Sequence, residues 1–137
     1  MKKIEIREIE KQNLDEKYIW SNYMLQEEQA EKFYLLKYGG VKVVEIHCVF
    51  DNEATIAVEF RIYSFLGIKK VINEMFRKLK VENQQLRQII TYLMSLDNIG
   101  VILLKRIGFV LAVRLREIVR VRDKKQDILI FTFLYGE

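Results

Sequence analysis

Residues Ser64-Phe65-Leu66-Gly67 join an apolar-rich strand pattern, Ala54 to Tyr63, to a strongly periodic helix pattern that begins at Ile68. A strand that enters a helix through a glycine-containing turn leaves several backbone N–H groups converging on one point. That point is the positive end of the helix dipole, so it suits a phosphate group. Lys69 and Lys70 stand beside it. On the strand pattern just before, Glu45 and His47 lie two residues apart and therefore on one strand face, where a coupled carboxylate–imidazole pair can form. His47 is the only histidine, and a single histidine in a strand is equally at home as a packed residue.

Near the end of the chain, Arg114, Arg116, Arg120 and Arg122 fall on alternating positions, with Val113, Leu115, Val119 and Val121 on the other face. A row of guanidinium groups can meet an acidic peptide or an RNA backbone. It can also be a solvated sheet face balanced by Glu117 and Asp123. No aromatic residues are interleaved with the arginines, which weakens the nucleic-acid reading.

The elements that must hold these groups fit one domain. The chain has 137 residues, half of them hydrophobic and 31% charged, an ordinary globular balance with room for a core. The net charge of +4 is compatible with an anionic ligand without requiring nucleic acid. One cysteine, Cys48, excludes an internal disulfide, and no Cys/His cluster offers a zinc site, so no metal is expected. A single thiol in an apolar strand pattern fits a small core residue in a reducing compartment, and the expected location is cytoplasmic. The opening Met1-Lys-Lys-Ile-Glu-Ile-Arg-Glu mixes charges at once and does not read as a signal peptide. No apolar run approaches the roughly 20 residues that span a bilayer.

Along the chain, Lys3 to Ile9 alternates as a strand. Asn13 can cap a helix with Glu16 in reply, and Leu14 to Ala30 reads as one or two helices rich in aromatics, including Tyr18, Trp20 and Tyr23. Three strands follow, Glu31 to Tyr38, Val41 to Phe50 and Ala54 to Tyr63. They are joined by Gly39-Gly40, a strong hairpin signal, and by Asp51-Asn52, and they form an antiparallel meander. In the helix from about Ile68 to Lys80, the residues Ile68, Val71, Ile72, Met75, Phe76 and Leu79 share one face. Leu86 to Met94 reads as a strand buried on both faces, and strand–helix–strand order favours parallel pairing through a right-handed crossover. Asp97-Asn98 opens a short helix, Ile99 to Ile107, which Gly108 ends. Val110 to Arg122 and Asp127 to Tyr135 are the last strands, joined by the charged turn Asp123 to Gln126. The last strand is apolar almost throughout, so both its faces should be covered, in one reading by a second copy of the chain.

The expectation is a single α/β domain, residues 1–137, with a mixed sheet of six or seven strands. This order, with a phosphate-ready turn after the last meander strand, resembles the GNAT family of acetyl-CoA-dependent N-acetyltransferases. The resemblance covers nearly the whole chain in outline and is sharpest from Ala54 to Phe109. The family motif Arg/Gln-x-x-Gly-x-Gly/Ala corresponds to Ser64-Phe65-Leu66-Gly67-Ile68-Lys69, with Ser64 and Lys69 departing from it. A second signature, an Asn opening the next helix and a later Gly-Phe, is similar to Asp97-Asn98 through Gly108-Phe109. Leu104 stands where many members carry the tyrosine that protonates the leaving thiolate.

The resemblance implies acetyl-CoA as co-substrate, in a cleft between the third meander strand and the strand Leu86–Met94. The pantetheine arm would bind the backbone edge of Phe60, Arg61 and Ile62, and the pyrophosphate the amides of Leu66, Gly67, Ile68, Lys69 and Lys70. Asp97 or Asn98 would touch the arm or cap the helix beside it. A primary amine of unread identity would attack the thioester directly, with Glu59, or Glu45 or His47, as base. Without a tyrosine at 104, Tyr92 or water would serve as acid. The cluster at Tyr18, Trp20 and Tyr23 lies where the family shapes its acceptor pocket. A GNAT-like domain that senses coenzyme or binds a protein without catalysis is the alternative implied by Ser64, Lys69 and Leu104.

Overall fold

The structure, a computed structural model, describes residues 2–10, 30–94, 97–121 and 124–136. The helices expected from Leu14 to Ala30, and with them the aromatic cluster Tyr18, Trp20 and Tyr23, lie outside the described residues except for Ala30, which opens a strand instead.

Seven described strands form one sheet. They are β1 (Ile4–Ile9), β2 (Ala30–Tyr38), β3 (Val41–Phe50), β4 (Thr55–Ile62), β5 (Gln88–Met94), β6 (Val110–Val121) and β7 (Lys124–Leu134). Helix α1 (Ile68–Glu82) joins β4 to β5, and α2 (Asn98–Ile107) joins β5 to β6. The order across the sheet is β1-β2-β3-β4-β5-β7-β6. Every pairing is antiparallel except β4 with β5, the expected crossover through α1.

Local chemistry explains the joints. Gly39 and Gly40 both take positive φ, 57° and 81°, the backbone a two-residue hairpin needs to match the twist of β2 and β3. At the next turn, Asn52 Oδ1 accepts from the Ala54 N–H at 2.8 Å. The six apolar residues expected on one face of α1 are the six that are buried. Each contributes on the order of 1.5–3 kcal/mol over exposure, so packing rather than capping holds this helix. They meet Leu36, Val44, Ile46, Val58, Ile89 and Phe131 from the sheet, together with Leu104, Ile107 and Phe109 from the end of α2. The Phe76, Phe109 and Phe133 rings lie 5.0–5.8 Å apart at steep angles.

Several boundaries differ from expectation, most of them by one or two residues. Lys124 to Gln126 belong to β7, where Gln126 is buried opposite Val119, because the β6–β7 ladder continues past the charged residues. Leu86 precedes β5; it is buried on the core while the chain turns into the strand. Also, β7 rather than β6 lies beside β5, so the hairpin folds back and leaves β6 at the edge.

Candidate functional site

Strands β4 and β5 are in register over only three residue pairs, Thr55↔Gln88, Ile56↔Ile89 and Ala57↔Ile90. Beyond them the strands part. The Thr91 hydroxyl donates to the Val58 carbonyl at 2.7 Å and takes the place of the next ladder bond. β4 meanwhile stays paired with β3 as far as Ile62, and β5 with β7 as far as Met94. The gap that opens is a cleft of about 160 Å³, lined by Glu59, Phe60 and Ile62 on one wall and Thr91 and Tyr92 on the other. Asp97 and Leu104 of the α2 segment also line it. A wider concavity of about 680 Å³ lies at the opposite end of these strands, around Glu53, Arg87 and Tyr135. Among its described lining residues the carboxylate, Glu53, is exposed.

β4, which forms one wall of the cleft, leads on into the Ser64–Gly67 turn. Gly67 caps α1 in the left-handed region at φ 73°, with no side chain supplying a cap bond and no acidic residue in the first turn. Two of the five expected amides are engaged within the turn. Leu66 N–H reaches Ser64 Oγ at 3.2 Å, and Ile68 N–H reaches the Phe65 carbonyl at 3.3 Å. Gly67, Lys69 and Lys70 supply the other N–H groups of the helix end. Lys69 and Lys70 are exposed, and Lys70 Nζ stands 5.8 Å from the Tyr38 ring centre. Cations in the first turn oppose the helix dipole, each by about 0.3–1 kcal/mol. Their presence there makes the spot strongly favourable to an anion. The residues present therefore fit a pyrophosphate, with three amides rather than five.

Glu59, one reading of which is an outward strand residue in solvent, is instead buried at 5% exposure. It stands on the sheet face opposite α1, beside His47 of β3, which is fully buried. His47 Nδ1 lies 3.9 Å from Glu59 Oε1, and Nε2 lies 2.8 Å from Glu31 Oε2. The Phe33 ring stacks on the imidazole at 4.4 Å and 7°. Glu45 belongs to another group: it accepts from the Tyr63 hydroxyl at 2.6 Å and sits 3.7 Å from Arg61. The contacts of His47 run to Glu31 and Glu59, and those of Glu45 to Tyr63 and Arg61, the neighbours each strand register brings. Burial and the Glu45 bond push the Tyr63 phenol up to about 12.

Tyr92 shares the Glu59 face of the sheet and lines the same cleft. Burial, and after it the charge of Asp51, raises its pKa above the ordinary phenol value, so it stays protonated at neutral pH. Asp97 caps α2, with Oδ1 accepting from Gly100 N–H at 2.8 Å, and Asn98 is the exposed first residue of that helix. Leu104 is buried at the cleft wall.

Glu31 was not among the residues singled out from the sequence. Only the β2–β3 register, which places Glu31 opposite Val49 and diagonal to His47, brings it in. Of the arginine row, Arg114 and Arg120 stand opposite Leu129 and Lys125 of β7, which share a sheet face, with an irregular stretch around Arg116 between them. The ladder shifts register between Leu111 and Val113 and again between Leu115 and Val119. Arg114 pairs with Asp127 at 3.2 Å, and Arg122 lies outside the described residues. Among the described residues no His/Cys/Asp/Glu group is placed to hold a metal ion, and no helix is long and apolar enough to cross a membrane.

Several solved structures share this architecture. A spermidine N-acetyltransferase variant from Vibrio cholerae superimposes with a TM-score of 0.71 at 14% identity, over 96% of this chain and 93% of its own. The acetyltransferase that modifies the N-terminal serine of ribosomal protein L7/L12 in Salmonella typhimurium gives 0.65 at 8% identity, over 86% and 69%. A ribosomal L7/L12 acetyltransferase in complex with coenzyme A gives 0.62 at 10%, over 76% and 62%. No family model matches the chain, and no curated protein matches it in sequence.

Proposed function

This chain has the fold of the GNAT N-acetyltransferases, and from that premise we propose that it transfers an acetyl group from acetyl-CoA to a primary amine. One observation carries the reading. Beside the parallel pair β4–β5 the sheet parts into a cleft with a buried carboxylate on its wall, and the strand that forms this wall leads through one turn into a helix N-terminus that no side chain caps. An oxygen-rich pyrophosphate suits the amides of Gly67, Lys69 and Lys70, with the two lysine side chains adding charge. The unpaired edge of β4 past Ala57, at Phe60, Arg61 and Ile62, offers backbone groups to an extended amide-bearing arm. Asp97 holds the start of α2 against the same cleft, with Asn98 beside it.

Glu59 takes the proton that makes the amine nucleophilic, with His47 behind it. Tyr92, kept neutral by burial, donates to the departing thiolate. The reading fits a cytoplasmic enzyme acting on a soluble amine, and its acceptor class stays open among polyamines, protein N-termini and lysine side chains.

A second reading, coenzyme binding without transfer, is favoured by Leu104, an apolar side chain at the cleft wall where a hydroxyl would serve as acid. Titration calorimetry with acetyl-CoA, followed by thiol release with spermidine, an N-terminal serine peptide and a lysine peptide, separates the two. Binding heat plus thiol release supports the enzyme, and heat alone supports the sensor. No heat at millimolar coenzyme removes both.

A further inference from the structure

An ammonium substrate loses two protons on becoming an amide. As the C–N bond forms and the C–S bond breaks, one proton goes to the thiolate sulfur, and the other must leave the cleft. Resting on the acetyl-transfer reading above, we propose that this second proton leaves through a row of three side chains, Glu59, His47 and Glu31, and that Glu31 is the positioning residue at its outer end.

The row crosses three adjacent strands on one sheet face, with Glu59 on β4, His47 on β3 and Glu31 on β2. Exposure rises along it. The side chains of Glu59 and His47 are 5% and 0% exposed, and that of Glu31 is 23% exposed. An ionised carboxylate only accepts hydrogen bonds, so the 2.8 Å contact with Glu31 places a proton on His47 Nε2. Nδ1 is then the nitrogen presented to Glu59, 3.9 Å away. That gap exceeds a hydrogen bond, and a small rotation of Glu59 or one bridging water closes it. A proton taken from the amine onto Glu59 passes to Nδ1, forming that N–H bond. The Nε2–H bond breaks toward Glu31, and Glu31 releases its proton to water. The stacked Phe33 ring restrains the plane of the imidazole. A packed structural histidine needs one acceptor. Here one imidazole stands between two carboxylates, the inner on the cleft wall and the outer partly in solvent.

Because His47 is the only histidine, selective ¹⁵N-histidine labelling of the full chain yields one ring signal set. The expected result is a proton on Nε2 in the wild type, loss of that preference in Glu31→Ala, its return in Glu31→Asp, and a moved Nδ1 resonance in Glu59→Gln. In thiol-release assays with the amine panel, Glu31→Ala lowers kcat roughly 10²-fold, the low side of what proton transfer supplies. The KM for acetyl-CoA stays unchanged, Glu31→Asp restores most of the rate, and the loss does not add to that of Glu59→Gln. A proton on Nδ1 in the wild type, an unaltered kcat in Glu31→Ala, or kcat and KM falling together with stability would each overturn the row. A wild type that transfers acetyl while Glu31→Ala is unaffected overturns the row alone. A wild type that takes up no coenzyme overturns the acetyl-transfer reading, and the row's catalytic role with it.

Discussion

Tyr38, the last residue of β2, lies flat against the backbone of Gly67, so close that a Cβ at 67 would stand 2.4 Å from the ring. The glycine that opens α1 is therefore demanded twice, by its positive φ of 73° and by the aromatic ring beneath it. Gly67→Ala should cost roughly 2–4 kcal/mol, the sum of left-handed strain and overpacking. A denaturant midpoint measures it. The double variant with Tyr38→Ala should lose less than the sum of the two single variants, because the overlap is gone. Additive losses would show that the ring contact contributes nothing.

Asp97 should behave as a cap before anything else. Asp97→Ala removes the acceptor for Gly100 N–H and should cost about 1 kcal/mol, with Asp97→Asn close to wild type. Gly100→Ala should also destabilise, because its Cβ would fall 2.7 Å from Asp97 Oδ2 and displace the carboxylate. Thermal unfolding of the three variants checks the order.

Tyr92→Phe removes a hydroxyl from the cleft and little else. If the phenol donates to the leaving sulfur, kcat should fall by roughly 10²-fold or more, with the calorimetric affinity for acetyl-CoA unchanged. An unchanged kcat would assign that proton to water.

Cys48 gives a pH test of the core. Burial pushes its thiol up from 9.0 to about 12, the nearby charge of Lys32 opposing only slightly. The folded value lies above the unfolded one, so the thiol's contribution to stability is complete below pH 9. It is lost as pH rises from 9 toward 12, where only the unfolded chain ionises. Cys48→Ala should flatten the stability curve in that window, although it costs some stability at pH 7 through the cavity it leaves. The native thiol should be inert to a disulfide reagent at pH 8 and react only on unfolding.

Much of the scaffold was legible because periodicity reports burial on one face. The six core residues of α1, the glycine hairpin and the helix ended by Gly108 all fell where spacing placed them. What spacing cannot report is register and what covers the other face. Glu59 alternates out of phase with Ile56 and Val58 and so reads as solvated, yet it is buried beside His47. Glu31 sits sixteen residues from His47 and meets it only once β2 and β3 are aligned. The insertion of β7 between β5 and β6 is likewise a matter of pairing, to which an apolar strand pattern is indifferent. At the turn, the composition showed the amides, but the Ser64 hydroxyl's claim on one of them depends on a side-chain rotamer.

Among the described residues, the three-pair ladder between β4 and β5, with the Ala54 carbonyl accepting from Arg87 and Gln88 beside it, is the backbone seam between a four-stranded half and a three-stranded half of the sheet. Each half is fastened internally by longer antiparallel ladders, and the apolar face of α1 lies across both. A guest seated between the leaves would be gripped by two stiff plates that one helix clasps.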